Sequence, residues 1–353
     1  MKQRWSKWFS KNQPPPAKTK NAMKNKPISE GMIKEEEEES KNIVKVEIKE
    51  QQNAQIDTEK EEGKMPSHKV SVMGISFNYL KTLPVGPDDT FDKACAYIKT
   101  LTKNTVGDRS FLAHLLNNAE TKRYVSEKAD YFVSYAWKGS WGATMSALQD
   151  HFDKQKELKE VFIWMDFAIL DQHLAAETNI DFEQWSKTFG GSLLEIGKAV
   201  LVLTPAEQPI ATSRAWCCFE WYSIVRSTIP FNYCINPSDK EEFIRKIIKG
   251  DIGFDFFNSI FSGINVEKAT AFKPFDQESI LSMLRSFGVV AVNDVCLKSI
   301  KNWFAEVVTE AEHRTAEGSE ENAKVLTARA TLHQTAVSSP ERGQISTIIL
   351  LTS

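Results

Sequence analysis

Two patterns of apolar residues alternate along the chain from about Lys69 onward. Residues 131–137, YFVSYAW, form an apolar run without two-residue alternation, as expected of a strand covered on both faces. Trp141, Met145, Leu148 and Phe152 then recur at helical spacing. Residues 161–167, VFIWMDF, give a second buried run. Asp181 with Gln184 reads as a capping box, opening a helix with Phe182, Trp185, Phe189, Leu193 and Ile196 on its inner face. Residues 198–205, KAVLVLTP, are the third run, and 212–225, TSRAWCCFEWYSIV, predict the next helix with Ser213 as N-cap. Three strand–helix units in succession predict an α/β fold, a three-layer parallel sheet with right-handed crossovers.

The flanks read as helical. Phe91, Ala94, Cys95 and Ile98 mark a helix over 90–102 with Thr90 as cap, and 110–117 give a second. Beyond the sheet, Phe243, Ile244 and Ile247 mark a helix over 239–249. Asp276 is placed as the cap of another that closes at Gly288, and Val292, Val295, Ile300, Phe304 and Val307 mark a longer last one. The expected organisation is a disordered charged tail over 1–67 and a helical lead-in over 68–128. The α/β domain follows over 129–235, then a helical extension over 236–310 and a weakly structured tail over 311–353.

Charge supports the first boundary. Residues 1–26 carry eight Lys or Arg and no acid, and an unbroken acidic block fills 35–39. Such segments bury too little apolar surface to offset the entropy of ordering. Trp5, Trp8 and Phe9 among lysines leave open a weak membrane contact or a presequence. The whole chain, 353 residues with 44 basic and 47 acidic side chains, has no strong electrostatic footprint, and nucleic acid is not an expected partner. No run approaches the roughly 20 apolar residues of a membrane span. Five scattered cysteines fit neither a disulfide framework nor a zinc site, so a reducing, cytoplasmic location is expected. Six isolated histidines predict no metal site.

In a parallel sheet, ligands bind beyond the carboxyl ends of the strands. The residues delivered there are Ser134, Tyr135 and Trp137 after the first strand and Asp166 after the second; Thr204 follows the third, and Trp216 and Glu220 lie on the next helix. Glu220 is the one acid in an apolar helix, one turn after Trp216. A carboxylate there is costly unless it is paired or used. Two readings stand: a structural glutamate tied to a neighbour such as Arg214, or a functional carboxylate. The aromatics read either as a stacking platform for a flat ring or as ordinary core. Cys217 near a helix start, with His173 as base, is a weaker nucleophile candidate. The segment 139–142, GSWG, lacks a phosphate-cradling pattern.

These residues resemble a known family. The run 130–135, DYFVSY, is similar to the first box of Toll/interleukin-1 receptor (TIR) domains, and 213–220, SRAWCCFE, to the W-C-L-x-E segment of plant-type members. A TIR-like group of algae and protists gives a closer pattern: Phe132 to Trp137, Trp164 to Asp166, Asp171-Gln172-His173 and Arg214 to Glu220 match it in order. Tyr135, Asp171 and Cys218 depart from the group's His, Asn and Leu, and a second-box loop is not recognisable. The resemblance spans about residues 90–310 and implies a TIR/flavodoxin-like fold. It also implies two functions: a signalling or interaction module acting by self-association, with Glu220 structural, or an NAD glycohydrolase. In the second, Glu220 is the catalytic carboxylate, and Ser134, Tyr135, Trp137, Asp166 and Trp216 contribute to the substrate site. NAD then enters as substrate, and no cofactor is expected.

Overall fold

The continuous apolar runs become the interior strands of a sheet because only a two-sided cover satisfies them. The computed structural model describes residues 71–155, 160–177 and 182–335. The expected charged tail with Trp5, Trp8 and Phe9, and Asp181 of the expected capping box, lie outside the described residues.

The chain enters through β1 (Gly74–Ser76), followed by helices α1 (Phe77–Leu80), α2 (Phe91–Thr102) and α3 (Phe111–Leu116), then β2 (Val125–Ser126) and β3 (Tyr131–Ser134). After α4 (Trp141–Asp153) come β4 (Phe162–Trp164), α5 (Asp166–Ile169), α6 (Gln172–Glu177) and α7 (Phe182–Ile196). Then follow β5 (Ala199–Val202), α8 (Ala215–Arg226) and β6 (Phe231–Cys234). The described residues form one six-stranded sheet, ordered β2-β1-β4-β3-β5-β6. β4, β3, β5 and β6 are parallel, with Phe132 opposite both Trp164 and Ala199. β1 pairs antiparallel with β2 and β4.

The sheet is therefore mixed, not wholly parallel as the sequence suggested, and the lead-in supplies two strands as well as helices. Both are too short to show a period. The position of β1 depends on Gly74, where a Cβ would come within 2.8 Å of the Ala129 Cα. The crossover from β3 to β4 steps one way along the sheet, and those from β4 to β5 and β5 to β6 step the other. Right-handed connections then put α4 on one face and α7 and α8 on the opposite one. In agreement, α4 packs on β5 and β6, whereas α7 and α8 pack on β3. Phe132, Val133, Trp164, Val200 and Leu201 are all buried between these layers.

The C-terminal part is helical: α9 (Pro237–Lys249), α10 (Phe254–Gly263), α11 (Pro274–Phe287), α12 (Val289–His313) and α13 (Glu320–Gln334). α9 starts where the Asn236 side chain accepts the Ser238 N–H at 2.9 Å and ends at Gly250, whose φ of 82° is left-handed. α12 contacts α8 on one side of the sheet and α9 on the other, so it passes the β6 edge. That arrangement covers an edge that would otherwise invite strand pairing. Phe243, Phe257, Trp303 and Phe304 form an aromatic cluster there, with ring centroids 4.5–5.6 Å apart along successive contacts.

Four details correct the sequence reading. Residues 320–334 are not a weakly structured tail but a packed helix, with Val325, Ala328 and Leu332 buried on α12 and its neighbours. α11 begins at Pro274, so Asp276 lies in its first turn and is not its cap. Strand β6 carries no clear period; neither it nor helix α10, whose Phe257 and Phe261 recur at helical spacing and are buried, was foreseen. The N-cap of α8 is Arg214, not Ser213. Ser213 closes a 3-10 turn, and Arg214 is drawn into extended geometry by a bridge in which Ala215 N–H reaches the Thr270 carbonyl at 3.1 Å.

Candidate functional site

Ser134 ends β3, Asp166 follows β4, and α8 presents Glu220 toward the same edge. Ser134 is fully buried. Its hydroxyl donates to Glu220 Oε2 at 2.6 Å and accepts the Trp221 indole N–H at 3.1 Å. A short relay, Trp221 to Ser134 to Glu220, thus runs from the core to the carboxylate. The sequence reading missed Trp221. A buried indole N–H needs an acceptor, and β3 turns the Ser134 hydroxyl toward it, while Tyr131 packs on His151 and Phe152.

Asp166 is held quite differently. Its carboxylate accepts the Tyr135 hydroxyl at 2.5 Å, the Trp137 indole N–H at 2.9 and 3.1 Å, and the Phe167 backbone N–H at 2.8 Å. Gln172 Nε2 donates to the Asp166 carbonyl at 2.8 Å and so fixes the backbone beneath it. Asp171 caps α6, accepting the N–H groups of His173 and Leu174 at 2.8 Å each, and it pairs with Arg109 at 3.4 Å. His173 meets Thr102 Oγ1 at 2.9 Å. The Asp171-Gln172-His173 triplet is therefore a brace that positions Asp166, a role the sequence pattern did not reveal.

The two carboxylates differ in their support. Burial raises the pKa of Asp166, opposed by its hydrogen bonds from Tyr135, Trp137 and Phe167. Burial raises that of Glu220 well above the ordinary glutamate value; the Ser134 hydrogen bond opposes the shift and the nearby Asp166 charge adds to it. Some of the Glu220 side chain remains accessible, but the protein packed round it dominates its electrostatics. Among the described residues Glu220 has no ion pair. The expected Arg214 partner instead donates to Thr270 Oγ1 at 3.0 Å.

The structure thus joins Ser134, Tyr135, Trp137, Asp166 and Glu220 through hydrogen bonds and field. Trp216 stands one turn before Glu220, half-buried, with its ring edge-on to Phe219. Tyr135 is buried and committed to Asp166, which removes it from the stacking platform; Trp137 and Trp216 are partly exposed. Trp164 is core, its N–H on the Ser71 carbonyl at 2.7 Å. The cysteine nucleophile is overturned: burial first, then Glu220, pushes the Cys217 thiol well up, and its sulfur donates to the Tyr135 carbonyl at 3.3 Å. The 139–142 turn offers no phosphate cradle, because the N–H groups of Gly139, Trp141 and Gly142 are taken by the carbonyls of Ala136, Asp89 and Pro87. Among the described residues no cluster of His, Cys, Asp or Glu could hold a metal ion, and no single helix is long and apolar enough to cross a membrane.

What this arrangement can do is hold one carboxylate rigidly and leave a second, without an ion pair among the described residues, near two partly exposed tryptophans. Comparisons of the chain with family models, with curated proteins and with solved structures return no match.

Proposed function

We propose that Glu220 is the working carboxylate of a hydrolase that cleaves the nicotinamide–ribose bond of NAD on a TIR-like scaffold. The observation that carries this reading is the environment of Glu220: enclosed, held by Ser134, and without a cation partner among the described residues. A structural glutamate on an apolar helix would be expected to pair with a base, and the candidate the sequence offers, Arg214, is engaged with Thr270. The choice of NAD rests on the resemblance of residues 130–135 and 213–220 to TIR segments.

The chemistry suits a single carboxylate. The C1′–N bond breaks with its electron pair leaving on nicotinamide, which departs neutral and needs no acid. The ribose acquires oxocarbenium character, which an ionised Glu220 stabilises. Water then adds to C1′ and gives its proton to Glu220. Asp166, fixed by Tyr135 and Trp137, adds negative field without taking part in proton transfer. Trp137 and Trp216 supply ring faces for the base.

The second reading is an interaction module acting by self-association. Phe272 and Phe275, 88% and 49% exposed, favour it, since they follow directly on the Thr270 bridge that starts α8. The full chain, incubated with NAD at concentrations high enough to self-associate, separates the two. Nicotinamide release that rises with pH above the ordinary carboxylate range supports the hydrolase. No release at any concentration or pH removes it and leaves the interaction module.

A further inference from the structure

Glu220 and Trp221 are consecutive on α8, so their side chains leave the helix about 100° apart and do not ordinarily share a partner. Here they do. α8 packs on β3, and the last residue of that strand, Ser134, stands between them. Its hydroxyl lies 3.1 Å from the Trp221 indole nitrogen and 2.6 Å from Glu220 Oε2. Ser134 and Trp221 are both fully buried, so water cannot replace the contact between them.

The direction of the two bonds follows from what each group can do. An indole N–H only donates, and a hydroxyl has one proton and two lone pairs. Ser134 must therefore accept from Trp221, which leaves its one proton for Glu220. A hydroxyl that accepts a hydrogen bond becomes a better donor, and a donor to the charged form favours the carboxylate over the carboxyl. The surroundings of Glu220 work the other way. Burial raises its pKa, and the charge of Asp166, after β4, adds to the shift. Tyr135 on β3 and the thiols of Cys217 and Cys218 on α8 have raised pKa values and stay neutral near pH 7. From α12, Cys296 meets the Cys218 thiol. At α11, Asp276 lies in the field of Lys273, and Arg285 pairs with Glu278 at 3.2 Å. Arg214, at the start of α8, is held by Thr270. Against burial and Asp166 stands the bond from Ser134.

We propose that Trp221 is a positioning residue, which aims the Ser134 proton at Glu220 and so keeps that carboxylate ionised at the pH where the site works. What the charge then does rests on the hydrolase reading; the relay does not. With phenylalanine at 221 the hydroxyl loses its donor and is free to turn to a backbone carbonyl, as serines commonly do.

The indole N–H resonances of the full chain, followed by NMR across pH, test the relay without any turnover. The Trp221 resonance, identified by its absence from Trp221→Phe, is expected to move as Glu220 titrates, with a midpoint above the ordinary glutamate range. Glu220→Gln and Ser134→Ala should each abolish that movement. The Glu220 midpoint in each variant is then read from the pH dependence of stability, taken against the same protein with Glu220→Gln added. It should rise by about 1 pH unit or more in Ser134→Ala, the scale of a lost charge-assisted hydrogen bond, and roughly half as far in Trp221→Phe. Ser134→Thr, which keeps a hydroxyl, should restore the wild-type midpoint. The pH profile of nicotinamide release should move with these midpoints, whereas a tryptophan needed only for packing would lower the rate at every pH and leave the midpoint in place. A Trp221 resonance that ignores Glu220, or an unchanged midpoint in Trp221→Phe, overturns the proposal. If Trp221→Phe does not fold, Ser134→Ala decides, since it keeps the tryptophan: an indole resonance must stop titrating and the midpoint must rise, and failure of either overturns the proposal. If the relay titrates as described and the wild type releases no nicotinamide, the hydrolase reading falls and the positioning role of Trp221 stands.

Discussion

At the scale of single residues, the contrast between Asp166 and Glu220 governs what each substitution does. Asp166 accepts from three groups, so removing one donor leaves a buried acceptor short. Tyr135→Phe should destabilise the protein by about 1–3 kcal/mol, read from chemical denaturation. Glu220 behaves in the opposite sense. Its pKa in the folded chain is raised by burial, so between the ordinary glutamate range and that higher value the folded state holds a proton the unfolded state has lost. This contribution is fully present at pH below the unfolded value and disappears as pH rises through the folded one. Glu220→Gln, which cannot ionise, should therefore be more stable than the wild type at neutral pH, by on the order of 1 kcal/mol. That advantage should shrink as pH falls toward 4. Denaturation curves across pH check this, and a mutant less stable at pH 7 would point to an ion pair instead. Glu220 stood out in the sequence because it broke an apolar helix. Its partner Ser134 was placed at the same edge, but Trp221 was hidden among apolar neighbours, and Gln172 acts through a backbone carbonyl that no side-chain pattern records.

At the scale of elements, the interior strands were legible and the edges were not. β3, β4 and β5 announce themselves because burial on both faces demands unbroken apolar runs. β6 carries Asn232 between Phe231 and Tyr233, and its exposure is mixed because α12 rather than a second strand covers its edge. β1 is three residues long and depends on one glycine, below the length at which periodicity exists. Val133 lies in the middle of β3, 2% exposed and opposite Val200. Val133→Asp puts an unpaired charge between two covered layers, a cost comparable with the whole stability of a domain. The expected result is loss of soluble protein, and a mutant with a native circular-dichroism spectrum would contradict the two-sided cover.

Across the molecule, the C-terminal helices complete the sheet by closing its β6 side. α13 was invisible in sequence because its buried face uses Val325, Ala328 and Leu332 with the small polar Asn322 and Thr331, which register weakly as apolar. It packs on α9, α10 and α12. Deleting the chain from Glu320 onward should lower stability by about 3 kcal/mol or more, the scale for exposing several buried side chains and their partners. A thermal melt checks this, and an unchanged midpoint would mean that α13 is only laid against the surface.

Why an apolar helix carries, at the edge of the sheet, a carboxylate with no ion pair among the described residues is tested most directly by the rate of nicotinamide release from NAD by the wild type and by Glu220→Gln, measured side by side on folded protein. The account predicts turnover by the wild type and a loss of about 100-fold or more in the mutant, because glutamine keeps the shape but not the charge the transition state needs. Equal rates would show that Glu220 does not carry the reaction.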